Sequence, residues 1–330
     1  MLNIDNIEEL QSLLENIKNK HIDFSTLELN FFQNIKIKIK GNPKRYNGTI
    51  TYSICRGLCE FQNELWKTYA EIKSGTSDIR KLTQTEKDAL EIVFEVNEGC
   101  TEIIAKATDF ITALKGLVKE ATNGMNGQQK AATVIATAIV LSLGGGWWVY
   151  SDNQKEIELA NIDLQKQAAV FDTIKNIAEQ SNNTCFQNAI HSIETHAQKG
   201  YGEIIRSVSD ADEIIISTVQ NENKITLPKQ EMTKIVETID AQDKAITKPE
   251  ELEVYIDGVK RSNNKVTIYI RTTQNEEFSA NVDTDMLGEH GVNQIIDRIK
   301  DYNTIRLSGM VKRRVGNIER ATITEIVTPE

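Results

Sequence analysis

Proline is nearly absent from this chain, with four in 330 residues, and no stretch is of low complexity. That excludes a long disordered or proline-rich linker. Cysteine and histidine are equally scarce, four of each. Cys55, Cys59, Cys100 and Cys185 include no CxxC spacing. Cys55 and Cys59 stand four apart on an expected helix, which suits neither a disulfide nor a zinc ribbon, so the cysteines read as small buried residues of a reducing compartment. His191 and His196 stand five apart with no HExxH around them, and no metal site is expected. GxxxxGKS/T, GxGxxG after a strand and GxSxG are missing too, so the leading reading is non-enzymatic and without a cofactor, and an enzyme whose active-site groups lie far apart in sequence is the alternative. Nor does MLNIDNIEELQSLLENIKNK carry the basic and apolar regions of a secretory signal, which places the first domain in the cytosol.

Charge is present in both signs but unevenly. Residues 1–130 hold 17 Lys+Arg against 18 Asp+Glu, residues 151–250 hold 10 against 17, and residues 251–330 hold 11 against 13. The acidic middle disfavours nucleic acid there and leaves local basic patches to the two ends. Asp210, Asp212 and Glu213 lack an EF-hand pattern and read as a turn at a helix end.

One long uncharged run is present, AATVIATAIVLSLGGGWWVY at 131–150. Twenty helical residues cover about 30 Å, the thickness of a bilayer core. Trp147, Trp148 and Tyr150 suit an interfacial belt. Val134, Ile135, Ile139, Val140, Leu141 and Leu143 supply on the order of −2 to −4 kcal/mol of insertion energy. The leading expectation is a single transmembrane helix; a buried core helix ending in a glycine loop and a conditionally inserted segment are the alternatives. Ala138, Ser142 and Gly146 recur every fourth residue, a small-residue seam for self-association into a homo-oligomer. Lys115, Lys119 and Lys130 on one flank against Lys155 and Lys166 on the other favour a cytosolic N-terminus in the bacterial inner membrane.

Around that segment the periodicities predict an α+β chain. Ile7, Leu10, Leu13, Leu14 and Ile17 line a first helix. Two strands follow at 27–31 and 35–40, the second with a lysine face (Lys36, Lys38, Lys40) of the kind that guards a sheet edge. Lys44 and Arg45 lie close by as a candidate anion contact. Helices are expected at about 50–73, 83–98 and 101–122, the second opened by a Thr83/Glu86 capping box. A long helix over about 152–181 carries Ile157, Leu164, Phe171 and Ala178 seven apart. Its d positions are weak, so a stalk and a helix of an intramolecular bundle both fit. A second helix runs over about 184–208, and 213–240 reads as strand, turn and helix.

The C-terminal segment is the clearest unit: strands at 251–259, 264–272, 277–283, 303–312 and 317–327, with a helix at 285–301. Five strands with a helix after the third predict an OB-like β-barrel. Such barrels bind ligands on strands 2 and 3 and on the loops joining strands 1–2 and 4–5. Here those places hold Lys260, Arg261, Lys265, Tyr269 and Arg271, and Lys312, Arg313 and Arg314. An aromatic among cations suits an anionic nucleotide or a single strand, and a protein partner is the other reading.

SICRGLCEFQNELWKTYAEI, LEIVFEVNEGCTEI and IRLSGMVKRRVGNIERATITEIV together resemble a family of bacterial single-pass membrane proteins carried on prophages and genomic islands. The resemblance implies a bacterial origin and a role in phage–host conflict, as an effector or sensor of antiviral defence. The expected organisation is therefore an N-terminal α+β domain with a small two-stranded element (1–124), a transmembrane helix (131–150), a helical stalk or coiled coil (152–208), a connecting αβ segment (209–247) and the barrel (248–330). The expected function is a membrane-anchored, self-associating interaction protein, or else a membrane-tethered module that binds nucleic acid or a nucleotide through the barrel.

Overall fold

The structure, a computed structural model, describes residues 2–16, 27–29, 32–97, 101–120, 124–142, 162–219, 224–242, 244–262, 265–273, 276–301, 303–314 and 317–327. Contacts divide the chain into two compact units, Met1–Thr238 and Ile239–Glu330.

The first unit holds strands β1 (Leu2–Ile4), β2 (Leu27–Leu29), β3 (Ile35–Lys40), β4 (Phe94–Asn97), β5 (Thr101–Ala105), β6 (Glu213–Thr218) and β7 (Lys224–Pro228). Its helices are α1 (Ile7–Asn16), α2 (Tyr52–Ser74), α3 (Gln84–Ala89), α4 (Ala107–Glu120), α5 (Gly127–Ser142), α6 (Ile162–Glu179) and α7 (Thr184–Ser207). A further helix, α8 (Lys229–Gln242), runs across the division.

Instead of a small two-stranded element, this unit carries a five-stranded antiparallel sheet in the order β4-β5-β3-β6-β7. β1 and β2 form a separate parallel pair. The lysine-faced strand is therefore central and not an edge. Ile35, Ile37 and Ile39 are buried on one side. On the other, Lys36 meets Glu102 at 3.5 Å and Lys40 pairs with Glu213. Lysine alternation marks an exposed face, and carboxylates on the neighbouring strands satisfy it without an edge. The expected helix at 83–98 stops at Ala89 and gives way to β4, because the FEVN stretch alternates at period two.

The transmembrane expectation is overturned. No described helix is long and apolar enough to cross a membrane. α5 has 16 residues, about 24 Å of helix. Lys130 through Leu141 are buried without interruption, and α4, α6 and α7 pack around them. A helix that is apolar all round marks burial on every side, in protein as well as in lipid. The single-pass and inner-membrane assignments fall with it. Trp147, Trp148 and Tyr150 lie outside the described residues. Of the heptad, Ile157 and the side chain of Leu164 lie outside the described residues, while Phe171 and Ala178, with the d-position Ile174, are buried within the bundle that α6 forms with α1, α5 and α7.

The second unit consists of β8 (Ile246–Ser262), β9 (Lys265–Thr272), β10 (Glu277–Val282), α9 (Thr284–Asp301), β11 (Ile305–Arg314) and β12 (Asn317–Ile326). β8 pairs with β9, β9 with β10, β10 with β12 in parallel, β12 with β11, and β11 back with β8, so the ring closes. Closure removes the free edges that would otherwise aggregate. Val254, Val266, Ile268, Leu307, Val311, Ala321 and Ile323 fill the interior, and Val292 and Ile295 of α9 join the same core. β11 and β12 come so close at a bulge that a methyl on Gly309 would stand 2.1 Å from the Thr322 carbonyl oxygen. Only glycine fits that approach.

Candidate functional site

Strand register decides which polar side chains share the outside of the barrel. Lys265, Thr267, Tyr269 and Arg271 alternate with the buried Val266, Ile268 and Ile270 along β9, so all four face outward. Opposite them on β10 stand Asn281 against Thr267, Ser279 against Tyr269, and Glu277 against Arg271. On β8 the partners are Ser262, Lys260, Gly258 and Tyr255, after a bulge between Ile256 and Gly258. The row from Lys265 to Arg271 is about 20 Å long at ordinary strand rise.

Tyr269 is the centre of this row. Its ring lies against Gly258, where an added methyl would meet Cδ2 at 3.4 Å, and 48% of the residue is exposed. Glycine thus provides a flat seat beside an aromatic face. An exposed tyrosine held on such a seat loses little entropy when a second flat group stacks on it.

The charges around it divide in two. Arg271 is engaged: it bonds Asp257 through Nε and Nη2, both at 3.2 Å, and lies 5.0 Å above the Tyr255 ring. Lys260, Arg261 and Lys265 are exposed and make no ion pair among the described residues. The row is therefore cationic at its Lys265 end and neutralised at its Arg271 end.

Sequence reasoning grouped Lys312, Arg313 and Arg314 with these residues, and the structure separates them. Lys312 pairs with Glu319 at 3.1 Å. Arg313 Nε bonds Glu250 at 2.9 Å and its Nη1 lies 3.8 Å from Glu276. Glu276 also accepts the Ile318 amide at 2.6 Å. The side chain of Arg314 lies outside the described residues. A shallow open cleft lined by Lys312, Glu319 and Arg320 sits on this hairpin, away from Tyr269.

The other sequence candidates are absorbed into packing. Ala138 is fully buried, Ser142 donates to the Ile139 carbonyl and contacts Gln167 at 2.9 Å, and Gly146 lies outside the described residues. Arg45 and Tyr46 both engage Asp210, at 3.2 and 2.5 Å, which takes Arg45 out of the expected anion contact and Asp210 out of the acidic triplet. Burial and the Asp210 carboxylate push the Tyr46 phenol up to about 12. No group of three or more metal ligands forms among the described residues. Cys55 and Cys59 are exposed free thiols.

One constellation had no sequence signal at all. His196 Nδ1 lies 2.6 Å from Glu64 Oε2, and its Nε2 lies 3.0 Å from the Ser77 hydroxyl. The three residues span 132 positions of sequence, and only the packing of α2 on α7 brings them together.

Compared with known proteins, the chain matches no family model, no curated protein and no solved structure. The folded geometry must carry the functional reading.

Proposed function

We propose that the C-terminal barrel binds single-stranded nucleic acid on the outer face of β8, β9 and β10. Tyr269 carries the reading: an exposed aromatic seated on Gly258 is a platform for one base. Lys260 and Lys265 meet the phosphates that follow it, Arg261, paired with the inward Val266, adds positive charge at the same end of β8, and Thr267, Ser279 and Asn281 offer hydrogen-bonding groups beside the stacked base. The closed five-stranded ring, with its helix between the third and fourth strands, supports reading the barrel as an OB-type module, whose second and third strands form the ligand face. The net negative charge of the unit confines phosphate attraction to this end of the face.

Fluorescence anisotropy of the full chain with labelled oligothymidylate and oligouridylate of about twelve nucleotides, within the span one such barrel covers, tests the proposal. Binding weakens as salt rises. Tyr269→Ala lowers affinity roughly tenfold, in line with about 1–3 kcal/mol per stacked base. The double variant K260E/K265E lowers affinity and reduces the salt slope by about one to two, as two lost phosphate contacts require. Absence of binding at low salt, or equal affinity for wild type and Tyr269→Ala, overturns it.

A further inference from the structure

We propose that Ser77 is a nucleophile activated by the buried His196–Glu64 pair, and that the first unit hydrolyses small, unhindered esters. The inference rests on a relay that packing alone does not require. Ser77 follows Gly75, the left-handed residue that ends α2, on a half-buried loop, so its hydroxyl stands at the protein boundary. Behind it His196 and Glu64 are both more than nine-tenths buried. The distances, 3.0 Å from hydroxyl to Nε2 and 2.6 Å from Nδ1 to carboxylate, are those at which a serine–histidine–carboxylate relay passes a proton.

The protonation pattern follows from the neighbours. Burial pushes the Glu64 carboxyl up, but His196 and Lys67 outweigh it and hold the group below its ordinary value. Glu64 is thus an anion that can only accept. An anionic Glu64 Oε2 accepts from Nδ1–H of His196, which leaves Nε2, 3.0 Å from the hydroxyl, as the ring atom that takes the Ser77 proton. Glu71 Oε2, 3.1 Å from the same hydroxyl, is a rival acceptor in the resting state; burial raises its carboxyl, which weakens it as a charged competitor.

Three donors unsatisfied among the described residues lie close in sequence to the relay residues. The amides of Thr76 and Ser77 bond no other group among the described residues. Ser192 is one helical turn before His196, on the same face of α7. Its buried hydroxyl has no partner among the described residues, and an orphaned buried donor calls for an explanation.

The chemistry balances with water alone. Ser77 Oγ attacks the ester carbonyl carbon while its proton moves to Nε2 of His196. The carbon–oxygen bond to the alcohol breaks, and the leaving oxygen takes that proton. Water then attacks the acyl group on Ser77, gives its proton to Nε2, and Ser77 recovers it as the carboxylic acid departs.

A biotinylated fluorophosphonate, which reacts covalently with activated serines, is incubated with the full chain, and adducts are located by peptide mass spectrometry. One adduct at Ser77 is expected, with a burst and turnover on p-nitrophenyl acetate. Ser77→Ala abolishes both in a chain that still unfolds cooperatively, with the transition lowered because the buried His196 Nε2 loses its partner. His196→Asn lowers labelling about 100-fold or more, the usual loss with a general base. Glu64→Gln lowers it by a smaller factor and shifts the pH profile of labelling. A folded wild-type chain that takes no adduct, or equal labelling in Ser77→Ala or in a folded His196→Asn, overturns the assignment.

Discussion

The phenol of Tyr201 donates a hydrogen bond of 2.6 Å to the carbonyl oxygen of Leu141. That carbonyl belongs to the last described turn of α5, and Leu141 is buried. Tyr201 is fully buried and its ring meets Phe61 edge to face at 5.1 Å. One side chain of α7 thus holds the end of the apolar α5 and packs against α2. Tyr201→Phe keeps the packing and strands a buried carbonyl, which costs about 1–3 kcal/mol. A lower urea midpoint at unchanged m-value is the expected observation.

The place of Ala138 gives a sharper test of whether α5 is core or membrane seam. Ala138 is fully buried among protein neighbours. Leucine there adds three carbons to a filled interior, and overpacking costs about 1–3 kcal/mol. In a lipid-facing helix the same change would add apolar surface and strengthen insertion. Ala138→Leu is expected to lower the thermal midpoint of the first unit. A midpoint at or above that of wild type would contradict the packing described for α5.

These two residues also show where sequence could and could not lead. The apolar run at 131–141 was plain, but burial in lipid and burial in protein ask for the same side chains. The choice turned on Tyr201, Phe171 and Gln167, which stand in later helices and carry no mark of their partner. The β8, β9 and β10 segments were legible because Val266, Ile268 and Ile270 alternate so cleanly. The outward row from Lys265 to Arg271 came with them, since period-two geometry fixes both faces at once. The grouping of Arg313 fails because its partners, Glu250 on β8 and Glu276 just before β10, are distant in sequence. Ser77, Glu64 and His196 were illegible for the same reason, with no local spacing to connect them.

Glu86 offers a pH-dependent test of the first unit. Its carboxylate accepts from Lys73 at 2.7 Å, Tyr69 at 3.0 Å and the Thr83 amide at 2.8 Å. Burial pushes the group up, but these donors outweigh it and hold it down at about 2, against 4.5 for the free side chain. A depressed folded value adds stability above the unfolded pKa and loses it as pH falls through the folded one. Glu86→Gln is expected to lose about 1–3 kcal/mol at neutral pH. The gap to wild type closes as pH drops from about 4.5 toward 2. Urea midpoints of both proteins at pH 7 and pH 3 would expose it; a gap as wide at pH 3 would refute the charge network.

Arg313 and Arg261 are both arginines of basic stretches at the ends of barrel strands, yet they are expected to behave oppositely. Arg313 is three-quarters buried at its side chain and holds Glu250 of β8 while facing Glu276 beside β10. Removing it leaves two carboxylates without their cation. Arg313→Ala is expected to lower the stability of the second unit by about 1–3 kcal/mol and to leave oligonucleotide affinity within about twofold. Arg261 is exposed and without an ion pair among the described residues, so Arg261→Ala leaves the urea midpoint in place and flattens the salt dependence of binding. Paired measurements of midpoint and affinity on the two variants separate the roles. If Arg313→Ala instead weakened binding at unchanged stability, the ligand face would have to extend across β11 to the far end of the barrel.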